Sequence, residues 1–228
     1  MSVPLSCKST FENLRGYSEV SVPGSSANLG CGFDCGAIAL PVWLNMKFTT
    51  ITAQLHQAIQ LGMDISDISK TEGDILPVLN SSNESEHIPQ QVNTLNYIKV
   101  EGLGSELIMK ELKENLILYA ANATAQKFSK TLPPLLIRIS NNIPLGAGLG
   151  SSAAAIVAGI CMASCVLKLN LDKHQVYLLA LAIEGHGDNV SASVYGGLNI
   201  ALETGVVQVC YWLPRLQSQT FIYLSDNH

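Results

Sequence analysis

The stretch Pro144-Leu-Gly-Ala-Gly-Leu-Gly-Ser-Ser-Ala-Ala154 decides the fold of this 228-residue chain. A run typical of a β-strand, Leu135-Leu-Ile-Arg-Ile139, precedes it, and an uncharged run of small residues typical of a helix, Ser152 to Leu167, follows it. Glycine at every second position allows tight turns that bring backbone N–H groups close to an anion. Ser151 and Ser152 are expected at the N-cap and first turn of the helix, whose dipole points at the same place. The pattern predicts a loop that binds the phosphates of a nucleotide.

This loop differs from the two commonest phosphate-binding signatures. A Walker A loop requires Gly-Lys-Ser/Thr, and no lysine lies between Pro144 and Val157. A Rossmann fingerprint requires a third glycine where Ser151 stands and then a strand that ends in an acidic residue, whereas residues 172–183 are expected to be helical. A dinucleotide-binding loop and a purely structural glycine turn stay open as alternatives.

Composition narrows the class of protein. The chain is 47% hydrophobic and 14% charged, which is typical of a well-packed globular domain. A net charge of −5 without basic runs argues against a nucleic-acid partner. The helix at 152–167 is too short and too rich in small residues to predict a membrane span. The six cysteines form no Cys-x-x-Cys pair, and the chain shows no signal sequence, so we expect a cytoplasmic protein with reduced thiols and no membrane partner.

Hydrophobic patterning along the rest of the chain mixes the periods of strands and helices. In chain order it predicts a strand at 19–23, a loop at 24–36, strands within 37–51, a polar surface insertion at about 71–96, helices at 107–128 and 172–183, and a hairpin at 196–202 and 206–210. The fold class is therefore α+β.

Two further segments complete the pattern. They are Val22-Pro-Gly-Ser-Ser-Ala-Asn-Leu-Gly-Cys-Gly-Phe-Asp-Cys-Gly36 and Glu184-Gly-His-Gly-Asp-Asn-Val190, the latter followed by Tyr195-Gly-Gly. With the glycine loop between them, in this order, the chain resembles the GHMP small-molecule kinases, and within that family the homoserine kinase branch. The resemblance implies that residues 1–204 form the family's N-terminal, ATP-binding domain. The expected fold is ribosomal protein S5 domain 2-like, a mixed sheet with helices packed on it.

The resemblance also implies a reaction, in which the γ-phosphoryl group of ATP is transferred to the hydroxyl of L-homoserine. The product is O-phospho-L-homoserine, on the way to threonine. Contacts with ATP fall on the glycine loop and on a residue near the adenine, namely Pro144, Leu145, Gly146, Ala147, Gly148, Leu149, Gly150, Ser151, Ser152, Ala153, Ala154 and Asn115. Glu184 and Ser152 match the ligands of Mg²⁺, which would neutralise phosphate charge in a loop that has no lysine.

Asn28, Asp34, His186 and Asn189 match positions that contact the amino-acid substrate in this family. An amide such as that of Asn28 suits the reacting hydroxyl, so Asn28 and Glu184 are the catalytic candidates, and a carboxylate such as that of Asp34 suits the α-ammonium group. Simpler interpretations stand beside these. Asn and Asp are favoured in glycine-rich turns, Glu184 is also explained as a surface acid at a helix end, and a lone histidine is commonly structural or exposed.

The sequence departs from the family pattern in several places. Cys31 and Gly187 stand where proline is common, and each restores backbone freedom to its loop. Residues 205–228 do not resemble the family, and neither the third glycine-rich motif nor the carboxylate-binding arginines of the family's second domain are found. We therefore expect a chain without the C-terminal domain, whose exposed apolar surface favours a homo-oligomer. The alternatives are a GHMP kinase for another small alcohol and an inactive nucleotide-binding fragment.

Overall fold

A computed structural model describes the chain over residues 17–51, 76–79, 95–110, 115–202, 205–210 and 225–226. Within these ranges the strands join into one sheet and the helices pack against it. None of the helices in the described ranges is long and apolar enough to span a membrane.

The sheet is mixed, as predicted. Its strands are β1 (Ser18–Leu29), β2 (Gly32–Thr50), β3 (Leu76–Leu79), β4 (Leu95–Gly102), β5 (Leu135–Asn141), β6 (Leu198–Leu202), β7 (Gly205–Cys210) and β8 (Ser225–Asp226). Their order is β3-β4-β5-β2-β1-β8, with β6 paired to β2 and β7 paired to β6. The β4–β5 pair is parallel and the other pairs are antiparallel. The predicted strand at 135–139 and the predicted hairpin of β6 and β7 are confirmed.

The helices begin where polar side chains or glycine supply a start signal. They are α1 (Ser105–Lys110), α2 (Leu116–Lys127), α3 (Ser151–Val166), α4 (Lys173–Glu184) and α5 (Asp188–Tyr195). Asn115 caps α2 by accepting hydrogen bonds from the N–H groups of Ile117 (3.0 Å) and Leu118 (3.2 Å). A capping box formed by Asp172 and Gln175 starts α4. The predicted helices at 152–167 and 172–183 are confirmed.

The hydrophobic core lies between one face of the sheet and the helices. Alternate residues of β2 and β5 supply its sheet side, as the period of two requires. These buried side chains are Leu44, Met46, Phe48, Leu135, Ile137 and Ile139. Small residues let α3 pack closely on α2, because a Cβ on Gly159 would overlap the carbonyl oxygen of Ile117. The uncharged helix is therefore a core helix, and its N-terminus is fixed beside the sheet.

The predicted loop at 24–36 is wrong. β1 continues to Leu29 and β2 begins at Gly32. Residues 24–27 pair with residues 37–40 and Leu29 pairs with Gly32, with irregularities after Pro23 and Ala27. Glycine, serine and asparagine have low strand propensity, and the segment lacks the alternation that marks a strand. Pairing with β2 holds it extended nevertheless, so the first motif forms a hairpin.

The predicted single helix at 107–128 is also wrong. α1 ends at Lys110 and α2 begins at Leu116, while residues 111–114 lie outside the described ranges. The Asn115 side chain bonds to the backbone two and three residues onward, which starts a new helix. The apolar spacing that suggested one helix continues across this break.

The insertion expected at 71–96 lies mostly outside the described residues. Its described part includes Leu76–Leu79, which pairs with β4 at the edge of the sheet. In the 205–228 tail, β7 pairs with β6, and Ser225–Asp226 pairs with the start of β1. These described pieces of the tail thus add strands to the sheet.

Candidate functional site

The glycine loop joins β5 to α3 and presents an open backbone surface. Gly146 and Gly148 have φ angles of 68° and 69°, in the left-handed region that favours glycine. Both are exposed, and a Cβ on either would meet no atom within 4 Å. Backbone of this kind directs N–H groups into a concave surface that suits an anion. The loop can therefore hold phosphate oxygens with main-chain donors alone.

The N-terminus of α3 faces the same surface. Its N-cap is Gly150, with φ of 66°, and no side chain caps the helix. The predicted N-cap role of Ser151 is thus wrong, and Ser151 is the first helical residue. Because no side-chain cap takes them up, the first N–H groups and the dipole of this 16-residue helix are available to an anion.

Glu184 meets Ser152 at the start of α3. The Ser152 hydroxyl donates a hydrogen bond of 2.7 Å to Oε1 of Glu184. Glu184 is the last residue of α4, and both side chains are half-buried. The two side chains predicted to hold a metal are therefore in direct contact, although 32 residues separate them in sequence.

Asn189 lies at the start of α5 and contacts the first motif. Its Oδ1 accepts a hydrogen bond of 2.8 Å from the Ser25 hydroxyl, while the Ser25 N–H donates to the carbonyl of Leu149 at 3.0 Å. A Cβ on Gly150 would overlap the Ser25 hydroxyl and lie 3.0 Å from Asn189 Oδ1. All three sequence motifs thus meet around Gly150. Sequence reasoning missed Ser25, although it lies inside the first motif.

Asn28 and Asp34 lie at the tip of the β1–β2 hairpin. Both adopt left-handed φ angles, 59° and 56°, and Asn28 Oδ1 accepts a hydrogen bond of 2.8 Å from the Asp34 N–H. Their side chains are exposed, as is that of His186. In the described part of the chain, no hydrogen bond or ion pair joins these three residues to Glu184 or Asn189. The structure thus shows the turn chemistry at Asn28 and leaves the Asp34 carboxylate open to a ligand.

A cavity of about 180 Å³ opens beside the loop and is mostly apolar. Its lining comes from α1, the start of α2, β5 and the start of α3, and includes Ile108, Asn115, Leu145, Ser151 and Ser152. Asn115, which was assigned to the adenine, therefore shares a cavity with three residues of the predicted phosphate loop. The volume of this cavity is below the roughly 300–1,000 Å³ of pockets for drug-sized ligands.

The segment after β4 packs against the glycine loop, and the sequence analysis did not identify it. The Leu103 N–H donates to the Asn141 carbonyl at 2.7 Å, and the Asn141 side-chain amide donates to the Leu103 carbonyl at 2.8 Å. A Cβ on Gly104 would overlap the Leu145 side chain. The signal that could have found this segment is Gly102-Leu-Gly104 directly after a strand, since paired glycines mark close backbone approach.

Tyr177 of α4 lies beneath the third motif. Its hydroxyl is buried and has no hydrogen-bond partner among the described residues, and a Cβ on Gly187 would lie 2.5 Å from it. Burial raises the pKa of Tyr177, and the nearby Asp188 carboxylate raises it further. Glycine at 187 therefore leaves room for the Tyr177 hydroxyl.

The charged groups do not form a ready-made metal site. Among the described residues there is no group of three or more His, Cys, Asp and Glu side chains that could hold a metal ion. A cation at the Ser152–Glu184 pair would thus complete its coordination with ligand oxygens and water, as Mg²⁺ commonly does.

Comparison with known proteins agrees with this fold and loop. Residues 115–197 match the family model for the GHMP kinases N terminal domain. A homoserine kinase from Bacillus pumilus is 34% identical over 183 residues, which cover 80% of this chain and 45% of that protein. A homoserine kinase from Staphylococcus aureus (strain Newman) is 30% identical over 197 residues, covering 84% of this chain and 51% of that protein. The structure of a homoserine kinase from Cytophaga hutchinsonii matches with a TM-score of 0.57 at 18% identity, covering 86% of this chain and 52% of that one.

The matched region runs from the Asn115 cap through the glycine loop to the third motif. The fold and the loop define a GHMP kinase N-terminal domain, and the predicted α+β fold is confirmed. Residues 115–197 of the chain therefore form a GHMP kinase N-terminal domain. It spans about half the length of the curated relatives it matches.

Proposed function

We propose that this chain supplies the ATP-binding part of a small-molecule kinase, residues 1–204, and that the acceptor is the hydroxyl of L-homoserine. The product is then O-phospho-L-homoserine, an intermediate toward threonine, formed in the cytoplasm. The observation that carries the proposal is the contact of Ser152 with Glu184 beside an open glycine loop and a helix N-terminus without a side-chain cap. The homoserine kinases among the relatives support the choice of acceptor.

ATP fits this arrangement in two parts. The adenine is assigned to the apolar cavity beside Asn115. The Asn115 Oδ1 already accepts the hydrogen bonds that cap α2, so the side-chain N–H groups of Asn115 are the donors left for the adenine. The phosphates are assigned to the backbone of residues 144–154 and to the N-terminus of α3. Because the loop has no lysine, main-chain N–H groups and the helix dipole supply its positive potential.

The oxygens of Ser152 and Glu184 fit Mg²⁺. They lie 2.7 Å apart, close to the about 2.9 Å between neighbouring ligands of an octahedral ion with bonds of 2.0–2.1 Å. Hard oxygen donors of this kind are the ligands that Mg²⁺ prefers. When bound there, the metal would neutralise charge on the phosphates. The chain's own contribution is to hold a hydroxyl and a carboxylate side by side at the end of the loop.

Substrate positioning falls to the first and third motifs. Asn189 lies against Gly150, at the junction of the loop and α3, so it can reach both an acceptor hydroxyl and a phosphate. Asp34 offers a carboxylate to an ammonium group, Asn28 lies six residues before it, and His186 of the third motif offers another exposed polar side chain. We assign no general base, since positioning and electrostatic stabilisation carry most of phosphoryl transfer.

The test is homoserine-dependent formation of ADP by the purified chain with Mg-ATP, for wild type and Glu184→Gln. We expect Glu184→Gln to lower the rate by about 100-fold, as the loss of one electrostatic contact in an active site does, with an unchanged melting temperature. Glu106→Gln is the matched control, because it makes the same change on an exposed acid of α1 and should leave the rate unchanged.

The outcomes separate the parts of the proposal. A near-normal rate for Glu184→Gln would remove Glu184 from the mechanism. ADP formation with another alcohol but not with homoserine would keep the kinase and overturn the acceptor. A folded chain that binds Mg-ATP without turnover would reduce the proposal to nucleotide binding, and a chain that binds no nucleotide would overturn the phosphate-loop assignment itself.

A further inference from the structure

We propose that Ser25 is a positioning residue that fixes the orientation of the Asn189 amide beside the glycine loop. The inference rests on the proposed kinase function, because that function assigns Asn189 to the substrate. Ser25 itself is fully buried, at 0% exposure, so it does not touch a ligand. Its role is to act on the site through Asn189.

Three contacts make Ser25 the junction of the motifs. Its hydroxyl donates to Asn189 Oδ1 at 2.8 Å, and its N–H donates to the Leu149 carbonyl at 3.0 Å. The same hydroxyl lies so close to Gly150 that no Cβ fits there. One residue of β1 thus binds the end of the loop through its backbone and the start of α5 through its side chain.

The hydrogen bond decides what Asn189 can offer a ligand. An asparagine side chain has one acceptor oxygen and two N–H donors. Because the Ser25 hydroxyl occupies Oδ1, the donors are the part left for a ligand. Asn189 held in this way recognises an oxygen that accepts a hydrogen bond, which means the acceptor hydroxyl or an oxygen of the γ-phosphoryl group that ADP lacks. Without Ser25, the amide is free to rotate and to present either end.

A second hydrogen bond between the same elements supplies a matched control. The Ser193 hydroxyl of α5 donates to the Pro23 carbonyl of β1 at 3.2 Å, and Ser193 is also fully buried. Ser193→Ala therefore weakens the attachment of α5 to β1 without touching Asn189. Ser25→Ala removes a similar hydrogen bond and also releases the amide. Comparing the two variants separates positioning from stability.

The experiment measures homoserine affinity by calorimetry in the presence of Mg-ADP, which requires no turnover. We expect Ser25→Ala to weaken homoserine binding by about 2- to 10-fold, the range of one neutral hydrogen bond, and to leave Mg-ADP affinity unchanged. Asn189→Ala should lose at least as much, and the double variant no more than Asn189→Ala alone, because Ser25 acts through Asn189. Ser193→Ala should keep wild-type homoserine affinity even though its melting temperature falls.

Other results would overturn the inference. Additive losses in the double variant, or an equal loss in Ser193→Ala, would make Ser25 a merely structural residue. If the wild-type chain binds Mg-ADP but not homoserine, the acceptor proposal fails, and the orientation is then tested through the NMR signals of the Asn189 side-chain N–H groups. These signals should shift in Ser25→Ala and not in Ser193→Ala. Unshifted signals in Ser25→Ala would refute the positioning role.

Discussion

Replacing Gly150 with alanine would test whether the three motifs are packed together as described. At φ of 66° an L-residue costs roughly 1–2 kcal/mol. The added Cβ would also overlap the Ser25 hydroxyl and press on Asn189 Oδ1 at 3.0 Å, and such overpacking costs typically about 1–3 kcal/mol. The two effects together lower the free energy of unfolding by about 2–5 kcal/mol. Since domains are stable by only about 5–15 kcal/mol, this loss is large.

Gly148→Ala is the matched control for this experiment. Gly148 has nearly the same φ, 69°, but its Cβ would meet no atom within 4 Å, so only the backbone cost of roughly 1–2 kcal/mol applies. The assay is urea unfolding of both variants and wild type. We expect Gly150→Ala to be the less stable variant by about 1–3 kcal/mol. If the two variants were equally stable, Ser25, Gly150 and Asn189 would not be in the contact that the site requires.

Three further predictions concern the packing around the site. Gly159→Ala should lower the melting temperature, because the new Cβ would overlap the backbone of α2, and overpacking of this kind costs about 1–3 kcal/mol; an unchanged melting temperature would contradict the close helix contact. Burial raises the pKa of Cys161 to about 12, so its thiol stays protonated at pH 8, and mass spectrometry after brief maleimide labelling should find exposed Cys31 modified and Cys161 unmodified. Gly187→Ala should lower the free energy of unfolding more in the wild type than in the Tyr177→Phe variant, because that variant lacks the hydroxyl that blocks the new Cβ. Equal losses of unfolding free energy in the two backgrounds would show that the two residues are independent.

The sequence predicted the parts of the site that depend on local backbone chemistry. Alternate glycines before an uncharged helix indicated the open loop, and the position of Gly150 as N-cap differs from the prediction by one residue. The hairpin at 24–36 could not be predicted from local pattern, since small polar residues carry no strand period and are held extended by β2. The residues alone also explain Glu184 as a surface acid at a helix end, and the family resemblance is what assigns it to the site.

Long-range contacts account for what the sequence did not show. Ser25 and Asn189 are 164 residues apart, and no local period or motif spacing reports a hydrogen bond between them. Gly104 and Leu145 come from different strand ends that the parallel pairing of β4 and β5 brings together. In each of these pairs, the local sequence indicates only that one residue favours a turn or is apolar. Their roles depend on which elements are neighbours in the sheet.

The turn before α5 shows how packing changes the meaning of a substitution. The loss of a proline at 187 was expected to loosen this turn by giving freedom to the unfolded chain. In the folded chain the position is not loose, because the Tyr177 hydroxyl occupies the space that a side chain at 187 would need. Among the described residues the buried Tyr177 hydroxyl has no hydrogen-bond partner, and the Tyr177 ring packs against the Tyr195 ring at a centroid distance of 5.8 Å. Contact from α4 thus constrains the turn that a proline ring would otherwise constrain, and it holds the start of α5, where Asn189 is the second residue.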